Sequence, residues 1–183
     1  MQISEEYASQ LKIMHSSESK KLGWGVEPPY ALIGVIKSHS ISSVLDFGCG
    51  HGAMMNRLKE VYPELQIQGY DPGIEKYSTF PETVDLIYST DVLEHIEPYL
   101  LDDTLKTLWN TGKCQYHKIA CHPAKKTLPD GRNCHLIVES PDWWLEKIKS
   151  IIDPECIITH TNMSNLIRKG KQMRFLEIVT IKQ

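Results

Sequence analysis

Three glycines at alternate positions, directly after a short apolar segment, constrain the fold of this chain more than any other feature. Residues 44–47 (VLDF) lead into Gly48, Gly50 and Gly52, and an apolar pattern with helical spacing follows. Glycine has no Cβ, so it accepts a positive φ and allows a ligand to approach the backbone closely. The segment therefore predicts a β-strand, a tight turn and an α-helix, arranged as the ligand-binding unit of an open α/β sheet.

A second acid favours a nucleoside ligand at this turn. Residues 66–70 (QIQGY) predict a second strand, and Asp71 follows it. An acid about 20 residues beyond the glycine turn accepts hydrogen bonds from ribose hydroxyls in nucleotide-binding sheets. The turn lacks the lysine of a phosphate-binding loop, and its GxGxG spacing leaves less room for a pyrophosphate than GxGxxG does. Several nucleotide-binding folds use a glycine-rich turn, so a further motif is needed to tell which of these folds the chain adopts.

Composition limits the classes of function. The chain has 183 residues, of which 41% are hydrophobic, and a formal net charge of -3, which together predict one globular domain. No apolar run is long enough to cross a bilayer, and the N-terminus lacks a basic start before an apolar stretch, so we expect a cytoplasmic protein with no membrane partner. This slightly negative net charge argues against general binding of duplex nucleic acid. The odd number of cysteines, 5, favours reduced thiols over a disulfide framework.

A third motif completes a family resemblance. A predicted strand over residues 84–89 runs into residues 90–96 (TDVLEHI). In this order the three motifs resemble the class I S-adenosylmethionine-dependent methyltransferases, and the resemblance extends from Val44 to the C-terminus. In that family the glycine turn cradles the methionine part of the cofactor, and the acid after the second strand holds the ribose. The resemblance implies S-adenosylmethionine as the cofactor and these cofactor-binding residues: Asp46, Phe47, Gly48, Gly50, Gly52, Asp71, Pro72 and Asp91.

The resemblance also implies the fold, a Rossmann-like α/β methyltransferase sheet with helices on both faces and an antiparallel pair of C-terminal strands. We expect cap helices over residues 1–40 and the methyltransferase domain over residues 41–183, together forming a single globular domain. Apolar spacing and end signals predict helices over residues 4–15, 30–37, 54–61, 100–109 and 141–151, and further strands over 115–121, 156–161 and 174–182.

One region departs from the family pattern. Only residues 72–83 separate the second and third predicted strands, and two of them are prolines, whereas the family places a helix and a strand there. A crossover that contains a helix takes at least about 10 to 12 residues. We therefore expect the family's third-strand region to be shortened, and we expect Tyr70, Ile74 and Phe80 to replace the residues that flank the adenine.

Asp91, Glu94 and His95 are the candidate groups for chemistry. Their i, i+3, i+4 spacing on one turn puts their side chains on a shared face toward the methyl donor. With His135 they form a mixed oxygen and nitrogen set that suits a divalent cation such as Mg or Mn. The alternative interpretation has no metal: Asp91 receives the cofactor amine, while Glu94 and His95 cap a helix. His95 and His135 are also the candidate catalytic groups, because an imidazole titrates near neutrality.

The segment around Glu94 is similar to two groups of metal-dependent O-methyltransferases, those that act on the terminal 2'-hydroxyl of small RNAs and those of ubiquinone synthesis. Both carry an acid-x-x-Glu-His segment in this place. The similarity to the RNA group extends to a later histidine before a tryptophan-bearing helix, here His135 followed by Trp143 and Trp144. The two tryptophans are equally compatible with a role as core anchors.

A long loop after the strand predicted at 115–121 is the expected acceptor site. Residues 122–135 lie at the carboxyl edge, where open α/β sheets bind ligands, and are longer than a plain connection. Cations in the loop suit a phosphate, a carboxylate or a sugar nucleotide. The alternative is a solvated loop with a Pro-Asp-Gly turn. The predicted substrate-binding residues are His122, Lys125, Lys126, Arg132 and Trp24.

The motifs together predict an S-adenosylmethionine-dependent methyltransferase that O-methylates a small or sugar/nucleotide-like acceptor with the assistance of a divalent metal. Two alternatives stay open, an RNA-terminal 2'-O-methyltransferase and a catalytically inactive S-adenosylmethionine-binding regulatory or scaffold protein. N-methylation of DNA bases is disfavoured, because residues 91–94 (DVLE) stand where those enzymes carry an Asn/Asp-Pro-Pro-aromatic segment. The second strand is expected at an exposed sheet edge, which a partner subunit can cover in an oligomer.

Overall fold

The computed structural model describes residues 3–17, 27–153, 155–168 and 171–182. The helices in these ranges are α1 (Glu5–Ser17), α2 (Tyr30–Ser38), α3 (Ala53–Val61), α4 (Leu101–Thr111) and α5 (Pro141–Lys149). The strands are β1 (Ser43–Phe47), β2 (Gln66–Tyr70), β3 (Val84–Thr90), β4 (Gly112–Ala120), β5 (Ile157–Arg168) and β6 (Lys171–Ile181). Short 3-10 helices occupy Glu75–Tyr77, Leu93–His95 and Pro98–Leu100. No helix within the described ranges combines the length and the apolar composition that crossing a bilayer requires.

The strands form one 6-stranded mixed sheet in the order β2-β1-β3-β4-β6-β5. β1 pairs in parallel with β2 on one side and with β3 on the other, and β4 continues the parallel part. β6 runs antiparallel to both β4 and β5, which confirms the predicted C-terminal pair. Because the chain leaves β1 toward β2 and then returns to the other side of β1 for β3, the strand order switches there. Open α/β sheets bind ligands at the carboxyl ends of the strands beside such a switch.

Apolar layers on both faces of the sheet confirm the predicted α/β packing. On one face, α2 and α3 bury Leu32 and Leu58 against Val44 of β1. On the other face, α4 and α5 contribute Leu105 and Trp144, and Trp144 is fully buried. Burying a large apolar side chain contributes about 1.5 to 3 kcal/mol relative to leaving it exposed. The two layers hold the strands in place and leave the carboxyl edge to side chains from turns and loops.

α1 packs against the segment that follows β4. Ser4 caps the helix, because its hydroxyl oxygen accepts a hydrogen bond from the Tyr7 backbone N–H at 3.0 Å. Glu97 holds this cap, since its carboxylate accepts from the backbone N–H and the hydroxyl of Ser4 at 2.9 and 2.7 Å. Further along the helix, the Gln10 side chain donates to Asp130 at 2.7 Å. The division at residue 40 between cap helices and methyltransferase domain stays a prediction.

The segment between β2 and β3 is short, which confirms the shortened third-strand region. Residues 71–83 are all described, and they contain the 3-10 turn Glu75–Tyr77 but neither an α-helix nor a further strand. The backbone N–H of Asp71 donates to the Tyr77 carbonyl at 2.8 Å and closes this loop. The connection from β2 to β3 therefore contributes a short turn to the carboxyl end of the sheet, where the family carries a helix and a strand.

The C-terminal hairpin is longer than the sequence predicts. β5 extends to Arg168 and β6 begins at Lys171, whereas the expected strands stop at residue 161 and start at residue 174. Residues 159–165 (THTNMSN) are mostly polar, so apolar periodicity does not mark them as a strand. Backbone pairing with β6, in which Asn165 lies opposite Arg174, supplies the strand instead.

Candidate active site

The glycine turn, residues 48–52, joins β1 to α3 and contacts the end of β2. The backbone N–H of Gly48 donates to the Tyr70 carbonyl at 2.8 Å. Gly48 has φ +78°, and a Cβ on it would lie 2.5 Å from both γ-carbons of Val92, so this position requires glycine. A Cβ on Gly50 would meet no atom within 4 Å. The turn is thus packed tightly at Gly48 and open beside Gly50.

Asp71 lies at the end of β2, next to the glycine turn, and is buried. One of its carboxylate oxygens accepts from the Gly50 backbone N–H at 2.9 Å, and the other accepts from the Gly73 N–H at 2.8 Å. A carboxylate oxygen has two lone-pair sites, so each oxygen can accept one further hydrogen bond. The backbone therefore fixes this carboxylate and leaves it able to bind two hydroxyl groups of a ribose.

The main cavity, of about 230 Å³, lies at the carboxyl edge of the sheet. Its walls come from the glycine turn, the end of β2, the segment after β3, α1 and the loop after β4. Mostly apolar walls with a few polar groups are typical of small-molecule sites. The predicted cofactor-binding residues that line this cavity are Phe47, Gly48, Gly50, Asp71, Pro72 and Asp91.

Two other predicted cofactor-binding residues lie behind the turn. Asp46 is buried at the end of β1, and burial raises its carboxyl pKa to about 7. Gly52 has φ +80°, and a Cβ there would lie 2.9 Å from the terminal methyl of Met55 and 3.0 Å from the Tyr77 hydroxyl. Neither Asp46 nor Gly52 lines the main cavity. Their structural role is to support the turn, and direct cofactor contact from them stays a prediction.

An aromatic group lies beside the end of β2, where the shortened segment leaves the sheet exposed. The rings of Phe47 and Tyr70 stack with centroids 5.7 Å apart, and Phe80 packs edge-on against Tyr70 at 5.0 Å. Tyr70 lines the main cavity, whereas Phe80 and Ile74 do not. Of the three residues expected to flank the adenine, Tyr70 is therefore the one that the fold brings to the cavity.

Asp91, Glu94, His95 and His135, which we call the acid–histidine cluster, lie together in the structure. One ligand atom from each lies within 4.8 Å of the others. Asp91 has a left-handed backbone with φ +61°, which is uncommon outside glycine and is concentrated at functional sites. Asp91 and His95 also line the main cavity. The cluster therefore adjoins the space beside the glycine turn.

The two histidines of the cluster present lone pairs at neutral pH. The Nδ1–H of His135 donates to the His122 carbonyl at 2.5 Å, so its Nε2 is the unprotonated nitrogen, and it lies 3.8 Å from a carboxylate oxygen of Asp91. Burial lowers the pKa of His135. Burial, and then the neighbouring His135, lower the pKa of His95 to about 4. Both imidazoles are therefore neutral near pH 7 and available as ligands or bases.

Glu94 is the least satisfied group of the cluster. Its side chain is fully buried, and one carboxylate oxygen accepts from the Ala120 backbone N–H at 2.7 Å. The other oxygen has no hydrogen-bond partner among the residues that the structure describes. Burial, followed by the nearby Asp91, raises the pKa of Glu94 well above its usual range. Burying a carboxyl without a partner is costly, so this oxygen marks a place for a ligand.

A second cavity, the lysine groove, adjoins the main cavity. It has a volume of about 510 Å³ and is lined by the predicted substrate residues Lys125 and Lys126 together with residues of α1 and the loop after β4. Met14 and Leu128 line both cavities. The two spaces therefore meet at these two side chains.

The other predicted substrate-binding residues lie elsewhere. The Arg132 guanidinium is 2.6 Å from the Asp130 carboxylate and 3.5 Å from that of Glu6, so it ties the loop to α1. His122 donates from Nδ1 to the Arg174 carbonyl at 3.0 Å and lines neither cavity. Trp24 lies outside the described residues. Substrate contact by these three residues stays a prediction.

The helix predicted at residues 4–15, which we expect to cover the cofactor site, is α1, and its side chains belong to the main cavity. Tyr7, Leu11 and Met14 line the main cavity. Their i, i+4, i+7 spacing marks a buried helix face in the sequence. That pattern indicates burial but does not tell which surface covers the face, and the covering surface is what places Tyr7 in the site.

A family model described as a methyltransferase domain matches residues 18–113, which is more than half of the chain. The match includes the glycine turn, Asp71 and the three acid–histidine residues that follow β3. The chain therefore belongs to the class I S-adenosylmethionine-dependent methyltransferases, as its motifs and sheet order predict. No curated protein sequence matches the chain significantly.

Several solved structures share this fold at low sequence identity. A 1,6-didemethyltoxoflavin-N1-methyltransferase of Burkholderia thailandensis, solved with S-adenosylhomocysteine, has a TM-score of 0.63 at 13% identity, covering 100% of this chain and 92% of that one. A coclaurine N-methyltransferase with bound S-adenosylhomocysteine has a TM-score of 0.55 at 13% identity, over 79% and 68% of the two chains. A phosphoethanolamine N-methyltransferase of Haemonchus contortus has a TM-score of 0.54 at 10% identity over 77% of this chain, which spans 48% of that protein. At these identities the likeness concerns the fold alone.

Proposed function

We propose that this protein transfers the methyl group of S-adenosylmethionine to a hydroxyl oxygen of a small or sugar/nucleotide-like acceptor, assisted by a divalent cation. The observation that carries the proposal is the position of the acid–histidine cluster. Its four ligand atoms lie within 4.8 Å of one another, and two of its members line the same cavity as the glycine turn and Asp71. A donor site and a deprotonating site thus adjoin at the carboxyl edge of one sheet.

The cofactor residues act by binding and orientation. Asp71 accepts the ribose hydroxyls, and the open side of Gly50 admits the cofactor close to the backbone. Orienting a donor and an acceptor in one site contributes roughly 7 to 11 kcal/mol over free encounter in well-aligned systems. The residues beside the methyl group then need only remove a proton from the acceptor.

The cluster fits a divalent cation in its chemistry. Asp91 and Glu94 offer oxygen ligands, and His95 and His135 offer neutral nitrogens, a mixture that suits Mn or Mg. The hydrogen bond from His135 to the His122 carbonyl orients the ring as second partners of metal-bound histidines commonly do. A cation held by these residues would lower the pKa of an acceptor hydroxyl. The unpartnered oxygen of Glu94 supports the same assignment.

The lysine groove supports an anionic acceptor. Lys125 and Lys126 line the lysine groove, which shares the lining residues Met14 and Leu128 with the main cavity. A lysine binds phosphate as a compact positive charge. We therefore propose an acceptor that carries a phosphate or carboxylate together with a hydroxyl, such as a sugar phosphate or a nucleotide.

The test combines cation binding with methyl transfer. The protein is incubated with methyl-labelled S-adenosylmethionine and a catechol, ribose 5-phosphate, a nucleoside 5'-monophosphate or a short single-stranded RNA. We expect label in an ether linkage of at least one acceptor, loss of transfer in excess chelator, and recovery on addition of Mn²⁺ or Mg²⁺. Full methyl transfer in excess chelator would show that the reaction does not need a cation. Transfer to none of the hydroxyl compounds, with cofactor binding intact, would favour the inactive regulatory protein.

A further inference from the structure

The hydroxyl of Tyr7 is a buried polar group that the fold itself leaves unused. Tyr7 lies on α1 and is only 3% exposed. Its ring packs against Leu128 and Cys134, and its backbone N–H binds the hydroxyl of Ser4. The phenolic oxygen, however, has no hydrogen-bond partner in the part of the chain that the structure describes. Buried tyrosine hydroxyls usually find a partner, so this one calls for an explanation.

The surroundings of Tyr7 point to a ligand inside the main cavity. Tyr7 lines that cavity together with Gly48, Gly50 and Asp71. Burial raises its pKa, so the group stays protonated and acts as a donor. The Glu97 and Asp71 carboxylates act on Tyr7 electrostatically, but neither accepts a hydrogen bond from its hydroxyl. The side chain that carries this neutral donor therefore borders the cavity beside the glycine turn and Asp71.

We propose that Tyr7 is a positioning residue whose hydroxyl donates a hydrogen bond to the methionine carboxylate of S-adenosylmethionine. Asp71 is the group suited to the ribose hydroxyls, and the carboxylate is the strongest remaining acceptor on the cofactor. Hydrogen bonds to a charged acceptor are stronger than neutral ones. The inference rests on cofactor binding in the proposed function and is independent of the metal and of the acceptor.

The attachments of α1 keep Tyr7 at a defined place. Glu97 holds Ser4 at the start of the helix, and Asp130 receives the side chain of Gln10 three residues beyond Tyr7. Hydrogen bonds on either side of the tyrosine along the helix restrain both the rotation and the translation of α1. The Tyr7 side chain is thus held at the cavity wall by a helix that is attached on both sides of it.

The experiment measures the dissociation constants of two ligands for the whole protein by calorimetry. S-Adenosylhomocysteine carries the carboxylate, whereas 5'-methylthioadenosine keeps the adenosine and the sulfur but lacks the amino-acid part. We expect Tyr7→Phe to weaken S-adenosylhomocysteine about tenfold or more, the range for a hydrogen bond to a charged group, and to leave 5'-methylthioadenosine unchanged. Asp71→Ala should weaken both ligands, because both contain the ribose.

Tyr116→Phe is the control, since it removes another buried tyrosine hydroxyl and Tyr116 does not line the main cavity. It should change neither constant. The thermal midpoint separates binding from folding: without ligand, Tyr7→Phe should unfold no earlier than the wild type, because it removes an unpartnered hydroxyl. With S-adenosylhomocysteine present, its midpoint should rise less than that of the wild type.

Three results would overturn the inference. Equal affinity of the wild type and Tyr7→Phe for S-adenosylhomocysteine would remove Tyr7 from the cofactor contacts. Equal weakening of both ligands would assign the hydroxyl to the adenosine part instead of the carboxylate. No binding of either ligand by the wild type would overturn the cofactor site itself, and with it the proposed function, which distinguishes that failure from the first two.

Discussion

The two ends of the main cavity differ in how far the protein satisfies its own polar groups. At the cofactor end, the backbone N–H groups of Gly50 and Gly73 each bind one oxygen of the Asp71 carboxylate, and the Gly48 N–H donates to the Tyr70 carbonyl. At the acceptor end, the acid–histidine cluster brings together two carboxyls and two imidazoles, and one buried oxygen of Glu94 has no partner among the described residues. Backbone groups thus fix the carboxylate at one end, whereas a buried carboxyl oxygen at the other end has no partner among the described residues.

The difference indicates how each end is stabilised. The cofactor end is preorganised by local backbone hydrogen bonds, so its geometry survives without a ligand. The acceptor end concentrates groups whose burial is unfavourable unless a ligand compensates them. We therefore expect changes at the cofactor end to act on folding and cofactor affinity, and changes at the acceptor end to act on cation binding with little loss of stability.

The largest expected effect is that of Gly48→Ala at the cofactor end. Its positive φ costs a non-glycine residue about 1 to 2 kcal/mol, and the overlap with Val92 adds about 1 to 3 kcal/mol. We expect the free energy of unfolding, measured by urea titration, to fall by about 2 to 5 kcal/mol. Gly131→Ala is the matched control, because Gly131 also has a positive φ of +89° but a Cβ on it meets nothing within 4 Å. Equal losses of unfolding free energy in the two variants would show that Val92 moves away from the added Cβ and that the overlap costs nothing.

At the acceptor end, Glu94→Gln should separate cation binding from stability. Losing a group that supports a metal ligand costs about 10- to 100-fold in affinity, so removing a ligand itself should weaken Mn²⁺ binding at least about a hundredfold. Stability at pH 7 without a cation should not fall, because the amide resembles the protonated carboxyl that burial favours. Electron paramagnetic resonance titration with Mn²⁺ measures the first effect and thermal unfolding the second. Glu97→Gln, at another buried carboxylate, should leave Mn²⁺ binding unchanged.

The pH dependence of stability should come in part from His117, a buried histidine that the fold does satisfy. Its ring nitrogens bind Ser89 and Gln115, both at 2.8 Å, and burial lowers its pKa from 6.5 to about 4. The unfolded chain therefore takes up a proton at higher pH than the folded one, so stability is full above pH 6.5 and falls as the pH drops toward 4. From these values we expect a loss of about 1 kcal/mol between pH 7 and pH 5.5. Urea titrations across this range should show that the free energy of unfolding depends less steeply on pH in His117→Gln than in the wild type. An unchanged pH dependence would contradict the role given to His117.

The smallest expected effect is that of Lys125→Ala in the lysine groove. Exposed charge pairs contribute about 0.2 to 1 kcal/mol, so the KM for a phosphate-bearing acceptor should rise by about two- to fivefold with kcat unchanged. An acceptor without an anionic group should show no change. Lys106→Ala removes an exposed lysine of α4 that lines neither cavity and serves as the control. An unchanged KM in both variants would place the groove outside the acceptor site.

Much of the cofactor end was predictable because its signals are local. The glycines at 48, 50 and 52 and the acid at 71 follow strands within a few residues, and the short run from 72 to 83 leaves no length for a full crossover. The acceptor end was predictable only in its ligand types and spacing. Arg132 shows the limit: the sequence presents it as a free cation in a loop, whereas its partners are Asp130 and the distant Glu6.

The sequence by itself determined the fold class, the glycine turn, the carboxylate at Asp71 and the identity of the acid–histidine residues, because each depends on local spacing and on backbone geometry. Only the tertiary structure decided which buried atoms lack partners: one oxygen of Glu94 and the hydroxyl of Tyr7 have none among the described residues. Those facts depend on how segments far apart in the chain pack together, and hydrophobic periodicity reports that a face is buried without reporting what buries it.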